Sequence, residues 1–112
     1  MVPVTSLDDL IQEYGKPVFC KVDVEGYEPI VFKTLSSRIP CISFEYCQDF
    51  LDDAVRCLDH LERLGDIQMN YAPTFDFTRL ALKTWTDNKK ELLTKISNSS
   101  IEYSGDIFIR FV

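Results

Sequence analysis

The spacing of hydrophobic residues along this chain alternates between the period of a helix and that of a strand. Glycine or proline separates the segments. Between Ser6 and Gly15 the apolar residues recur every three or four positions, and Ser6 is a residue type that caps helices. Residues 18–24 form a short apolar segment rich in valine, which predicts a strand. The order then repeats, because residues 29–38 predict a helix and residues 41–46 a second strand.

The second half of the chain continues this alternation. Residues 51–61 give the strongest helical pattern, residues 67–72 and 78–82 are predicted to be extended, Asp87 is expected to cap a short helix, and residues 105–112 predict a final strand. An alternation of this kind is typical of an α/β domain with a mostly parallel sheet covered by helices. The 112 residues contain no Pro/Gly/Ser-rich linker, so a single domain is predicted.

Charge and hydropathy exclude two classes of partner. Twelve Lys and Arg against 18 Asp and Glu give a net charge of −6, and the basic residues do not cluster as a nucleic-acid surface requires. No apolar run approaches the roughly 18–20 residues that span a bilayer, and the first residues lack the features of a signal peptide. We therefore expect no nucleic-acid partner, no membrane association and a cytoplasmic location.

The cysteines give no metal-binding pattern. Cys20, Cys41, Cys47 and Cys57 form no C-x-x-C pair, and the sequence has one histidine. Free cysteine is one of the most frequently buried residue types, so reduced thiols in the core are predicted and no metal site is expected.

Acidic residues follow two predicted strands. Asp23 and Glu25 come after the first strand, and Glu45 lies near the end of the second. Ligands of open parallel sheets bind at the carboxyl ends of the strands, so these carboxylates are expected to share one crevice if the strands are adjacent. Clustered carboxylates suit a general base for a hydroxyl substrate or, alternatively, a magnesium ion.

Two simpler interpretations remain open at this stage. Glu25 and Glu28 are also placed where acidic residues favour the positive end of the following helix. Lys21 either offsets charge near the carboxylates or extends from the sheet to solvent.

Residues 21–28, Lys-Val-Asp-Val-Glu-Gly-Tyr-Glu, resemble the K-x-D-x-E-G-x-E signature of the FkbM-type S-adenosylmethionine-dependent methyltransferases. Residues 4–10, Val-Thr-Ser-Leu-Asp-Asp-Leu, are similar to the V-x-T-L-D-x-L element that this family carries upstream. Residues 42–45 resemble its next strand. The resemblance covers nearly all of the chain, which corresponds to about the second half of the family domain.

The resemblance implies a three-layer, Rossmann-like sheet truncated to about four or five strands, namely family strands four to seven, the last antiparallel. Residues 1–112 would form a single domain that lacks the glycine-rich, cofactor-binding half. The glycines stand at positions 15, 26, 65 and 105 and form no G-x-G turn, so we expect the chain alone to be inactive.

The function implied by the resemblance is methylation of a small-molecule or sugar hydroxyl with S-adenosylmethionine as methyl donor. Asp23, Glu25 and Glu45 would be the catalytic residues, with Asp23 also beside the cofactor. The residues expected to support them are Lys21, Gly26 and Glu28. Magnesium stays possible without a specific signal for it.

The family's fourth strand pairs with its first, so the edge of the strand at residues 18–24 is expected to be open. A homodimer or a separate N-terminal half would then pair with this edge. The alternative to an enzyme is a non-catalytic binding or oligomerisation module derived from the same fold.

Overall fold

The computed structural model of the chain describes residues 6–24, 26–74, 79–98 and 104–112. Helices and strands alternate along these ranges as the hydrophobic pattern predicts. In chain order they are α1 (Leu7–Tyr14), β1 (Phe19–Val22), α2 (Glu28–Phe32), β2 (Cys41–Cys47), a 3-10 turn (Gln48–Phe50), α3 (Leu51–Leu64), β3 (Ile67–Pro73), α4 (Lys89–Ser97) and β4 (Ser104–Phe111).

The strands form one open sheet in the order β1-β2-β4-β3. β1 and β2 are parallel, with Val22 paired to Phe44, and β4 is antiparallel to both β2 and β3. The α/β class and the antiparallel last strand are therefore confirmed, and the sheet is consistent with a truncated Rossmann-like fold. Strands β1, β2 and β3 run in the same direction, as predicted for a mostly parallel sheet. Because β4 lies between β2 and β3 and runs the opposite way, only one of the three pairings, β1 with β2, is parallel.

One face of the sheet carries the hydrophobic core. Alternate residues of each strand point to this face, among them Val22, Phe44, Met69 and Ile109, and all four are at most 5% exposed. The helices contribute buried residues to the same cluster: Phe32 from α2, Leu58 and Leu61 from α3, and Leu92 and Ile96 from α4. The core therefore lies between one face of the sheet and the helices α2, α3 and α4.

The helix boundaries follow local capping chemistry. Ser6 Oγ accepts from the Asp9 backbone nitrogen at 3.0 Å, as predicted, and α1 ends before Gly15, where φ is +91°. α2 ends at Phe32, earlier than the predicted residue 38, because Thr34 Oγ1 donates to the Val31 carbonyl and accepts from the Leu7 nitrogen. Among the helices in the described ranges, none is long and apolar enough to cross a membrane.

The predicted extended segment at residues 78–82 is wrong in its described part, residues 79–82, which forms no strand. The Asn70 side chain binds both the backbone nitrogen and the carbonyl of Leu82, at 3.0 and 2.9 Å, in place of a regular ladder. The cap of α4 is Asn88 and not Asp87, with the Asn88 side chain accepting from the Glu91 nitrogen. Both differences come from asparagine side chains that replace backbone partners.

Candidate functional site

A cavity of about 430 Å³ lies where the carboxyl ends of β1 and β2 meet the first turns of α3. This is the position at which open α/β sheets usually bind ligands. Its walls combine aromatic, acidic and thiol-bearing side chains. The lining residues are Gly26, Glu28, Phe44, Glu45, Tyr46, Cys47, Phe50, Asp53, Ala54 and Cys57.

Glu28 holds the turn that leads from β1 to α2. Its side chain is buried, with 5% of the residue exposed, and its two carboxylate oxygens accept from the backbone nitrogens of Val24 at 3.1 Å and Gly26 at 2.9 Å. Gly26 has φ of +97°, a conformation that favours glycine. Glu28 also lies in the first turn of α2, so its role is local scaffolding of the turn as well as a favourable helix position.

The structure brings three of the predicted site residues, Gly26, Glu28 and Glu45, onto this one cavity. Asp23 is exposed directly after β1 and lies outside the cavity lining. Because Val22 pairs with Phe44 in a parallel register, Asp23 and Glu45 follow at the same end of the sheet. Glu25 lies outside the described residues.

Lys21 also lies outside the cavity lining. Its side chain is 52% exposed, and its Nζ is 3.9 Å from Asp106 Oδ2 on β4. The side chain thus crosses the face of β2 toward β4, which agrees with the interpretation that it extends from the sheet to solvent. An exposed pair at this distance contributes little to stability.

The part of the cavity that comes from the segment after β2 is not predicted from the sequence. Phe50 precedes α3, Asp53 lies in its first turn, and Cys57 follows one turn later. The signal was present, because Asp52 and Asp53 follow the second strand just as Asp23 and Glu25 follow the first. Because Asp52 and Asp53 begin a helical pattern, the sequence favours their interpretation as an ordinary helix start. Their location at the same end of the sheet as the first acidic group is therefore not evident from the pattern.

Negative charge dominates the electrostatics of the cavity. Burial, together with the nearby carboxylates of Glu28 and Asp53, raises the pKa of the Cys57 thiol to about 12. The described lining residues include no lysine or arginine, and Arg56 binds Asp53 at 3.1 Å from outside the lining. The cavity therefore suits a neutral or positively charged ligand with an apolar part.

The raised pKa of Cys57 predicts a specific loss of stability at alkaline pH. An unfolded cysteine loses its proton near pH 9.0, whereas folded Cys57 keeps it to about 12, so unfolding is favoured as pH rises between these values. We expect the stability advantage of the wild type over Cys57→Ala to shrink by up to about 1.4 kcal/mol per pH unit above pH 9. Urea unfolding of both proteins from about pH 8 to about pH 10.5 measures this, and a constant difference would contradict the assignment.

The other cysteines differ from the prediction of core thiols. All four are free, but only Cys57 is buried, while Cys20, Cys41 and Cys47 are half-buried. Cys20 nevertheless packs against the core cluster, so the prediction of core thiols is wrong only for Cys41 and Cys47. Within the described ranges, no three or more His, Cys, Asp or Glu side chains are grouped so as to hold a metal ion.

Comparison with known proteins gives one family. The family model described as the methyltransferase FkbM domain matches residues 1–88, which include β1, β2, α3 and every lining residue of the cavity. No curated protein and no solved structure matches the chain.

Proposed function

Because the chain belongs to the FkbM methyltransferase family, we propose that it provides the acceptor side of an S-adenosylmethionine-dependent methyltransferase that methylates a hydroxyl group of a small molecule or sugar. One observation carries this proposal. A cavity at the carboxyl ends of β1 and β2 is lined by Gly26, Glu28 and Glu45, which belong to the family-like segments of the sequence. The size of about 430 Å³ is in the range of small-molecule sites.

The roles of the acidic residues follow from their positions. Asp23 follows β1 and Glu45 lies near the end of β2, both at the same end of the sheet, so an acceptor hydroxyl placed there has a carboxylate available to receive its proton. Glu25, next to Gly26 in the sequence, is proposed as the third carboxylate of this group. Glu28 positions the turn, and Lys21, whose Nζ lies 3.9 Å from Asp106 Oδ2 outside the cavity lining, is proposed to offset charge from there.

The cofactor fits the described residues in part. Carboxylates at Asp23 and Glu45 suit the positive charge of S-adenosylmethionine, which supplies the methyl group when bound. The adenosine part is usually held by a glycine-rich turn, and the glycines at positions 15, 26, 65 and 105 form none. The residues of this chain therefore account for the methyl and acceptor end of the site.

Asp23→Asn tests the proposed proton transfer. The natural polypeptide that carries these residues would be assayed with radiolabelled S-adenosylmethionine and a panel of hydroxyl compounds. We expect the variant to reduce kcat by more than about tenfold with little change in KM, because the amide cannot accept the proton at neutral pH. Glu13→Gln, which changes an exposed glutamate on α1, is the matched control.

Two results would count against the proposal. Unchanged turnover in Asp23→Asn would remove this residue from the proton-accepting group and leave Glu45→Gln as the next variant to assay. Failure of the natural polypeptide to methylate any hydroxyl compound, with the cavity still binding small molecules in calorimetry, would favour the non-catalytic binding module instead.

A further inference from the structure

β1 presents an edge with no described strand beside it. The Cys41 nitrogen donates to the Val18 carbonyl at 3.2 Å. In a parallel pair, every second residue of a strand directs its backbone N–H and C=O groups to the neighbouring strand, so Cys20 and Val22 also direct theirs to β2. The backbone N–H and C=O groups of Phe19 and Lys21 consequently point away from the sheet. An edge of this kind is a template for another strand.

The side chains along this edge give it little protection against pairing. Val18 is 78% exposed and Phe19 is 46% exposed, so the edge is flanked by apolar surface. A lysine on an edge strand normally discourages association, but the Lys21 charge is partly balanced by Asp106 of β4, whose Oδ2 lies 3.9 Å from the Lys21 Nζ. The strand therefore offers both free backbone groups and hydrophobic area.

The charges along the edge favour a second copy in antiparallel orientation. Lys16 precedes the strand and Asp23 follows it, so one end is basic and the other acidic. Two copies aligned antiparallel place the basic end of each beside the acidic end of the other, whereas parallel alignment places like charges together.

Backbone geometry favours one register among the antiparallel ones centred on residues 19–21. A two-fold axis at Lys21 would bring two lysines face to face, and an axis at Phe19 would place Lys21 opposite Pro17, which has no N–H to donate. An axis at Cys20 avoids both problems. It pairs Phe19 of each copy with Lys21 of the other, and each such pair exchanges two backbone hydrogen bonds.

We propose that two copies of this chain associate through the edges of β1, antiparallel about a two-fold axis at Cys20, and join their sheets into one. The strand is short, so the dimer is a reversible one with a dissociation constant in the micromolar range. The two Cys20 residues then form a non-hydrogen-bonded pair with Cα atoms about 4.5 Å apart, within the range that a disulfide can bridge.

Charge changes at Phe19 test the interface and its register together. In the proposed dimer this position faces Lys21 of the other copy, so Phe19→Lys is expected to weaken dimerisation at least tenfold, whereas Phe19→Glu keeps or strengthens it. Sedimentation velocity over a range of concentrations gives the dissociation constants. Leu80→Lys, at a 36% exposed apolar residue away from this edge, is the matched control and should leave dimerisation unchanged.

Cross-linking supplies an independent readout of the same register. Mild oxidation at dimer-forming concentrations should give a Cys20–Cys20 disulfide, identified by peptide mass and lost in Cys20→Ser, but no Cys41–Cys41 disulfide. A chain that stays monomeric up to about 1 mM would overturn the proposal and leave the edge to a strand of another polypeptide. Equal effects of Phe19→Lys and Phe19→Glu, or cross-links through Cys41, would overturn the register.

Discussion

Glu28→Ala is expected to lower the free energy of unfolding by about 3 kcal/mol, because it removes a buried carboxylate that accepts two backbone hydrogen bonds in the turn after β1. The carboxylate accepts from the Val24 and Gly26 nitrogens at 3.1 and 2.9 Å while only 5% of the residue is exposed. Hydrogen bonds to a charged group contribute about 1.5–3 kcal/mol each, and relief from burying the charge offsets part of their sum. Urea denaturation of the variant and wild type measures the change.

Two comparisons separate this effect from a general loss of negative charge. Glu13→Ala removes an exposed glutamate from α1 and should change stability by less than about 0.5 kcal/mol. Glu28→Gln keeps one acceptor oxygen and should fall between alanine and wild type. The pKa of Cys57 should also drop in Glu28→Ala, since the Glu28 charge raises it. Equal stability of the alanine and wild-type proteins would show that the turn is held by other contacts.

The sequence predicts the early elements well because their signals are local. Ser6 caps α1 through its own hydroxyl, and the apolar spacing of residues 51–61 reports the buried face of α3 directly. Asp23 and Glu45 are likewise placed at the same end of the sheet, because neighbouring parallel strands bring their carboxyl ends to the same edge, although Asp23 lies outside the cavity lining.

The remaining features depend on contacts between distant residues. Asn70 replaces a strand partner by binding the backbone of Leu82, and nothing in the local pattern of residues 79–82 distinguishes this from a strand. The two interpretations of Glu28, as a helix-start residue or as part of the site, have the same sequence signal. Only the direction of its carboxylate, toward the Val24 and Gly26 nitrogens, shows what it holds.

Gly105 is the other residue whose importance depends on tertiary contacts. It lies on β4 between Tyr46 of β2 and Pro73 of β3, and it is buried. A Cβ atom added there would press on the Ala72 carbonyl oxygen and lie 2.8 Å from both Pro73 Cα and Tyr46 Oη. Two of these neighbours are backbone atoms of the next strand, which cannot move without separating β3 from β4.

Gly105→Ala is therefore expected to destabilise the fold by about 3 kcal/mol, and to displace Tyr46 from the cavity wall. Gly65→Ala is a matched control, because the atoms nearest to its added Cβ belong to the exposed Arg38 side chain, which can shift at the cost of its hydrogen bond to the Leu64 carbonyl. Neither glycine has a φ in the left-handed region, where alanine would be strained. The difference in stability between the two variants therefore reports the steric clash of the added methyl group. Thermal unfolding should show a large drop for Gly105→Ala and a shift of less than about 1 kcal/mol for Gly65→Ala. Similar stabilities for the two variants would mean that β3 and β4 can separate enough to admit a methyl group.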